Sequence, residues 1–335
     1  MRLPTSSSAC ALAVALLAGC DSGEPVGPFA EPVVFDIALG ASSMDIAEAL
    51  EARGIIPSKW SFLWKRAWNR KTTLMAGEYV FRQPVNASEA FEMIASGRVR
   101  LYRLTLPEGL NRFEITKVVA NSSLVSADAF LDLTLDPAPI RDLFPQAETL
   151  EGFLFPETYS LAKTSTAKDL VGAMISRFTQ AMQEARAQRT VETEDWNALI
   201  LASMIEEETR GRAERALVSS VFHNRMRRGM LMQCDPTIAY GLILENRYSG
   251  RILRADLSDA HPYNTYIHGG LPPGPISNPS KEALMAAFKP AESDYLYFVA
   301  KPGVQVGHVF SKTLGAHNRA VRDLRRYQRS VRRRM

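Results

Sequence analysis

Cysteine is nearly absent from this 335-residue chain, with three copies at Cys10, Cys20 and Cys234. No pair has the spacing of a zinc site or a redox couple, which excludes zinc ribbons, disulfide scaffolds and thioredoxin-like chemistry. Cys234 has His223 as its nearest upstream histidine and reads as structural, not nucleophilic. Histidine is scarce as well, at five copies. His308 and His317 lack a third ligand at useful spacing, so neither a metal nor a cofactor is expected. No glycine-rich phosphate loop follows a strand pattern, which removes the doubly wound nucleotide-binding folds. Long apolar runs are missing too. The run from Ala9 to Leu17 falls short of the ~20 residues that a bilayer-crossing helix needs. The formal charge of +4 is local: eight arginines and one aspartate follow Asn318, a net +7, which leaves the remainder near −3. That tail is read as a solvated, frayed terminus, or as a weak contact for anionic lipid head groups. Basic and aromatic residues do not interleave into a groove, so no nucleic-acid partner is expected.

A hydrophobic content of 46% is ample for the cores of two domains. The segment from Trp196 to Thr209 contains no Gly or Pro and reads as a helix ending in three glutamates. Stepping back from Glu208 by three, four, seven and eight residues meets Ile205, Met204, Leu201 and Ile200, all apolar. The same steps from Glu206 meet Ser203, Ala202, Leu199 and Ala198, and from Glu207 Met204, Ser203, Ile200 and Leu199. Glu208 thus extends the most apolar stripe, and its neighbours are expected to lean toward water. A carboxyl held on apolar surface is disfavoured as an anion, and its pKa rises into the range of a general acid. Glu208 is therefore the candidate catalytic acid.

Further motifs follow in order. Glu206-Glu-Glu-Thr209 is succeeded by Val221-Phe-His-Asn-Arg225 and by Gln233-Cys-Asp-Pro-Thr-Ile-Ala-Tyr-Gly241. Then come Tyr263-Asn-Thr-Tyr266, Gly270-Leu-Pro-Pro-Gly-Pro-Ile-Ser-Asn-Pro279, Gly307-His-Val-Phe-Ser311 and His317-Asn318. This series resembles the endolytic murein transglycosylase family of the MltG type, bacterial enzymes that cut cell-wall glycan. The resemblance spans roughly residues 33 to 325. Its Glu-x-Glu-Thr motif assigns the acid to its second Glu, here Glu208, in agreement with the helical-face reading. By the same resemblance Glu214, Asn224, Gln233, Asp235, Tyr240, Asn264 and Tyr266 are expected to support the acid or to bind sugars. Asp235-Pro236 also fits a turn or a helix start, and Gly269 to Pro279 reads as a stiff loop rimming the cleft.

The expected fold is mixed α+β. Residues 1–20 form a leader in which Leu17-Ala-Gly-Cys20 resembles a lipobox, with Cys20 lipidated and Asp21 favouring the inner membrane. Family members usually begin with a transmembrane helix, so this anchor is a departure. Residues 21–31 are a Pro/Gly linker. Residues 32–102 alternate strand and helix patterns and resemble a LysM-like subdomain. Residues 103–325 form the catalytic domain, and 326–335 the basic tail. Trp60, Trp64 and Trp68 lie at four-residue spacing, suited to stacking on sugars or to packing in a core or domain interface.

The resemblance implies a carbon–oxygen lyase acting on peptidoglycan. It would cut the β-1,4 bond between N-acetylmuramic acid and N-acetylglucosamine and leave 1,6-anhydro ends. Glycan strands are the expected substrate, the membrane and peptidoglycan synthases the expected partners, and the periplasmic side of the inner membrane the expected location. A lysozyme-like hydrolase would differ in its reducing-end products. A non-catalytic wall-binding scaffold would not need Glu208.

Overall fold

The computed structural model describes residues 28–209, 211–304 and 307–333. The leader with Cys20, and the linker up to residue 27, lie outside these described residues. Contacts divide the chain into two compact units. One comprises residues up to Leu101 with Ala162–Thr164, and the other Tyr102–Leu161 with the residues from Ser165 onward.

The first unit holds strand β1 (Val33–Ile37), helices α1 (Ser43–Ala52) and α2 (Lys59–Trp68), strand β2 (Gly77–Phe81) and helix α3 (Ala87–Ala95). β1 pairs antiparallel with β2, Val33 opposite Phe81 and Ile37 opposite Gly77. Alternation places Phe35 and Ile37 inward, where they meet Ile46 and Leu50 of α1, Phe62 of α2, and Phe91 and Ile94 of α3. Caps set the helix starts. Ser42 Oγ accepts from Asp45 N while Asp45 accepts from Ser42 N, a reciprocal box, and Asn86 caps α3 through Glu89 N. Trp60, Trp64 and Trp68 do not enter this core. They are exposed, because Phe62 and Leu63 supply the inward side of α2.

The second unit is mainly helical. Strand β3 (Leu101–Thr105) pairs with β4 (Thr158–Ala162), and between them lie α4 (Arg112–Ser122) and α5 (Ala127–Leu133). Helix α6 (Ala167–Arg186) precedes α7 (Asp195–Glu208), followed by α8 (Arg215–Arg227), α9 (Asp235–Leu244) and α10 (Lys281–Phe288). Strands β5 (Tyr297–Ala300) and β6 (His308–Ser311) form an antiparallel hairpin, and α11 (Leu314–Arg332) closes the chain. α7 runs through the middle, packed by α8, α9 and α10. Every residue from Ala198 to Glu206 is buried.

Two expectations change here. The basic tail is helical through Arg332, because Ala316, Ala320, Val321 and Leu324 form a half-buried stripe on the side packed against β5 and β6. The Pro/Gly loop does not simply rim a cleft: its residues from Gly274 to Ser280 are buried. There Ile276 N donates to Ser203 Oγ and Ser277 Oγ donates to the Ser203 carbonyl, fastening the loop to α7. Among the described residues no helix is long and apolar enough to cross a membrane.

Candidate active site

The last turn of α7 carries three carboxylates, each about 100° around the axis from the next. They enter three different surroundings. Glu206 is buried, contrary to the expectation that it leans toward water. Its Oε1 lies 2.5 Å from Arg215 Nη2, and its Oε2 accepts from Ser280 N at 2.9 Å and from Ser280 Oγ at 2.5 Å. Arg215 also reaches Glu108, 3.0 Å away. The helical-face reading misplaced Glu206 because α7 is enclosed on every side as far as Glu206, whereas Glu207 is exposed as expected. A buried carboxylate is tolerated where a buried cation and two donors meet it.

Glu207 leaves the helix toward the start of α4. A Cβ added to Gly109, whose φ is +80°, would approach Glu207 Oε1 to 3.1 Å. The Glu207 residue is exposed, yet crowding around its carboxyl pushes it up to about 7, helped by repulsion from Glu114 and opposed by the nearby Ser277 side chain.

Glu208 turns the other way, toward α8, α9 and β6. Its residue surface is partly open to solvent, yet its carboxyl is closely surrounded. Burial raises its pKa first, and the Asp235 charge raises it further. A hydrogen bond with the Cys234 thiol and the charges of His308 and Arg225 pull the other way. A helix C-terminus also disfavours an anion, and Glu208 is the last residue of α7. Thr209 ends the helix in an extended conformation and accepts Gly211 N at 3.0 Å on its hydroxyl.

The groups around Glu208 are fixed by their own bonds. Gln233 adopts a left-handed φ of +49° and donates its N–H to the Thr265 carbonyl at 3.1 Å. The next residue, Cys234, caps α9 and donates its N–H to Thr265 Oγ1 at 3.0 Å. Asp235 opens α9 and accepts the Tyr266 hydroxyl at 2.5 Å. Asp235-Pro236 is thus a helix start, with Pro in the first turn where its missing N–H costs nothing. Glu214 accepts His308 N at 3.1 Å on one oxygen and faces His308 Nδ1 at 2.8 Å with the other. It thereby aligns an imidazole whose charge acts on Glu208.

Glu208, Asp235 and Tyr266 are therefore brought together, with Glu214 joined through His308 and Gln233 exposed beside them. Three other expected residues are occupied elsewhere. Asn224 donates to the carbonyls of Ser293 and Tyr295, holding α8 to the approach to β5. Asn264 gives its amide to the carbonyls of Asp256, Leu257 and Asp259 and accepts Tyr266 N, so it shapes the loop that presents Tyr266. Tyr240 donates to Glu151 at 3.0 Å and lines a separate cavity of about 520 Å³ with Arg112, Trp196 and Tyr263.

Three residues near the acid escaped the sequence reading. His308 was weighed only as a metal ligand, and Cys234 only as a nucleophile or a structural residue. Arg225 sits in the same motif as Asn224. Its guanidinium donates to the Leu296 and Met232 carbonyls and lies 5.3 Å from the Tyr297 ring centroid. Among the described residues no group of three or more metal-binding side chains gathers. Chemically, the arrangement presents a carboxyl biased toward its protonated form, with a second carboxylate, a phenol and an imidazole–carboxylate pair around it.

A family model described as the YceG-like family matches residues 35–323. The chain is 31% identical to an endolytic murein transglycosylase of Bacillus subtilis (strain 168), over 91% of this chain and 89% of that protein. It is 28% identical to an endolytic murein transglycosylase of Streptococcus pneumoniae serotype 2, over 80% of this chain but 54% of that longer protein. Its structure is similar to the crystal structure of a yceG-like protein from Listeria monocytogenes, with a TM-score of 0.57 and 31% identity over 86% of this chain and 99% of that one. By both the extent of the family match and the identity to its relatives, the chain belongs to the YceG-like family.

Proposed function

We propose that this protein is an endolytic peptidoglycan lytic transglycosylase and that Glu208 is its acid and base. The observation that carries the reading is the burial-raised carboxyl of Glu208 at the end of α7, beside Asp235 and the Glu214–His308 pair. The names of the relatives from Bacillus and Streptococcus agree with it. Protonated Glu208 gives its proton to the glycosidic oxygen as the bond to the muramoyl anomeric carbon breaks. The Glu208 carboxylate then takes the proton of the muramoyl 6-hydroxyl, whose oxygen closes on the anomeric carbon. The products are a free 4-hydroxyl on N-acetylglucosamine and a 1,6-anhydro end on the muramoyl residue. No water is consumed, unlike the two-carboxylate hydrolases. Tyr266, held on Asp235, and Gln233 supply hydrogen bonds to sugar.

Glu208→Gln keeps the size of the side chain and removes the acid. Cleavage of uncrosslinked glycan should fall by about 10²–10⁴-fold. Mass spectrometry of wild-type digests should show anhydro-ended fragments of intermediate length. Wild-type rates from Glu208→Gln, or reducing ends in place of anhydro ends, would refute the assignment. The Leu17-Ala-Gly-Cys20 sequence supports attachment by a lipid on Cys20 to the outer face of the inner membrane. Labelling with a fatty-acid analogue should mark the wild type and spare Cys20→Ser; an unlabelled wild type removes this anchor.

A further inference from the structure

Helix α2 leaves three of the four tryptophans of the chain in water. Trp60, Trp64 and Trp68 are 66%, 68% and 74% exposed. Four-residue spacing puts them on one side, along about 12 Å of helix. The opposite side is secured by Phe62, fully buried, and by Leu63 against the same core. Burial of such a phenylalanine favours the orientation in which the tryptophans face outward. A contiguous exposed aromatic ridge of this kind marks a contact surface.

The segment's own charged residues have one sign. From Lys59 to Met75 there are five cations, Lys59, Lys65, Arg66, Arg70 and Lys71, and no acidic residue. Lys59 and Lys65 reach back to Glu48 and Glu92. Arg66 is spent on Ser43 Oγ and on the carbonyls of Asn69, Arg70 and Thr72. Arg70 and Lys71, both exposed, follow Trp68 directly and meet no acidic side chain among the described residues.

We propose that this face of α2 seats on an anionic phospholipid surface, with the three indoles at head-group depth and Arg70 and Lys71 on lipid phosphates. Tryptophan and basic side chains together are the composition of an interfacial helix. The geometry favours a bilayer over a glycan. The ridge is convex, whereas sugar sites are concave and rich in hydrogen-bonding groups. Ser61 is the one hydroxyl or amide side chain of α2. The rings also cover one another: Trp64 and Trp68 meet edge to face at 5.9 Å, and Lys59 Nζ lies 5.5 Å over Trp60. Such rings do not offer the row of open faces that successive sugars need. The contact depends neither on the acylation of Cys20 nor on the chemistry at Glu208.

Tryptophan emission tests it directly. The full-length protein is mixed with phosphatidylethanolamine–phosphatidylglycerol vesicles carrying a shallow doxyl quencher on the acyl chains. Emission should shift to the blue and be strongly quenched, and acrylamide should lose access to the rings. In Trp60→Ser, Trp64→Ser, Trp68→Ser the remaining signal comes from Trp196 and should not respond. The double variant Arg70→Glu, Lys71→Glu keeps every ring and should need about tenfold more lipid for the same quenching. Emission unmoved by vesicles at every lipid concentration would overturn the proposal. So would protection of the rings by soluble uncrosslinked glycan and not by vesicles, which would make the face a glycan platform.

Discussion

Glu207 and Glu208 are adjacent, and burial lifts the carboxyl of each, so acidity alone does not choose between them. Their company does. Glu207 faces Glu114, Ser277 and Gly109, whereas Glu208 faces a carboxylate tied to a phenol, an imidazole tied to a carboxylate, and a buried guanidinium. A general acid must be protonated when substrate binds, so activity should fall as pH rises through the lifted value of Glu208. The Asp235 charge is one cause of that lift. Asp235→Asn removes the repulsion, the carboxyl loses its proton more easily, and the alkaline limb should move to lower pH. Loss of the charged acceptor for Tyr266 should also lower the rate, by about tenfold. A pH–rate profile on dye-labelled glycan reads both effects. A limb that stays in place or moves up would mean that Asp235 does not act on the acid. Glu207→Gln, by contrast, should keep most of the activity, because its carboxyl faces Glu114 and Ser277 and not the groups around Glu208.

At the scale of elements, legibility in the sequence followed how local the cause was. The strand patterns of β1 and β2 are legible, because alternating residues and a bounding glycine such as Gly77 are short-range signals. The starts of α1 and α4 are set just as locally, by Ser42 and Asn111, which cap within three residues. The surroundings of α7 could not. A periodic stripe implies one wet face, and α7 is enclosed by partners from α8, α9 and α10 that no local pattern announces. The same holds for Tyr240 and Asn224, which sequence marked as polar motif residues while their partners lie 89 and about 70 positions away. Glu206 is where the difference can be measured. Glu206→Gln leaves Arg215 buried beside a neutral amide with Glu108 as its remaining close carboxylate, and Nε and Nη1 of Arg215 already have no hydrogen-bond partner. Breaking a buried pair costs about 3 kcal/mol where the partner charge is left alone, and Glu108 offsets part of that here. Chemical denaturation should show that loss, with glycan cleavage retained at low temperature. A variant as stable as the wild type would show that the pair contributes nothing.

For the second unit as a whole, the tie that joins most of the chain is Glu151. It accepts from Arg112 N at the start of α4, from Tyr240 Oη on α9 at 3.0 Å and from Asn278 Nδ2 in the buried loop at 2.7 Å. Asn278 in turn accepts Leu154 N and donates to the Leu110 carbonyl. Four distant segments therefore meet at one carboxyl. Burial outweighs these donors and pushes Glu151 from 4.5 up to about 7. The folded protein then holds this proton more tightly than the unfolded chain does, so folding is favoured below about 4.5. That advantage drains away as pH rises from 4.5 to 7 and is gone above 7, a loss of roughly 3 kcal/mol. Glu151→Gln cannot titrate. It should lower stability at acid pH, where an amide nitrogen faces donors in place of a carboxyl, and it should flatten the decline between 4.5 and 7. Hydrogen exchange of the α7 backbone amides reports the opening of this unit at each pH. If wild type and Glu151→Gln decline with the same slope, Glu151 is ionised in the folded protein across that range, and its three donors outweigh its burial.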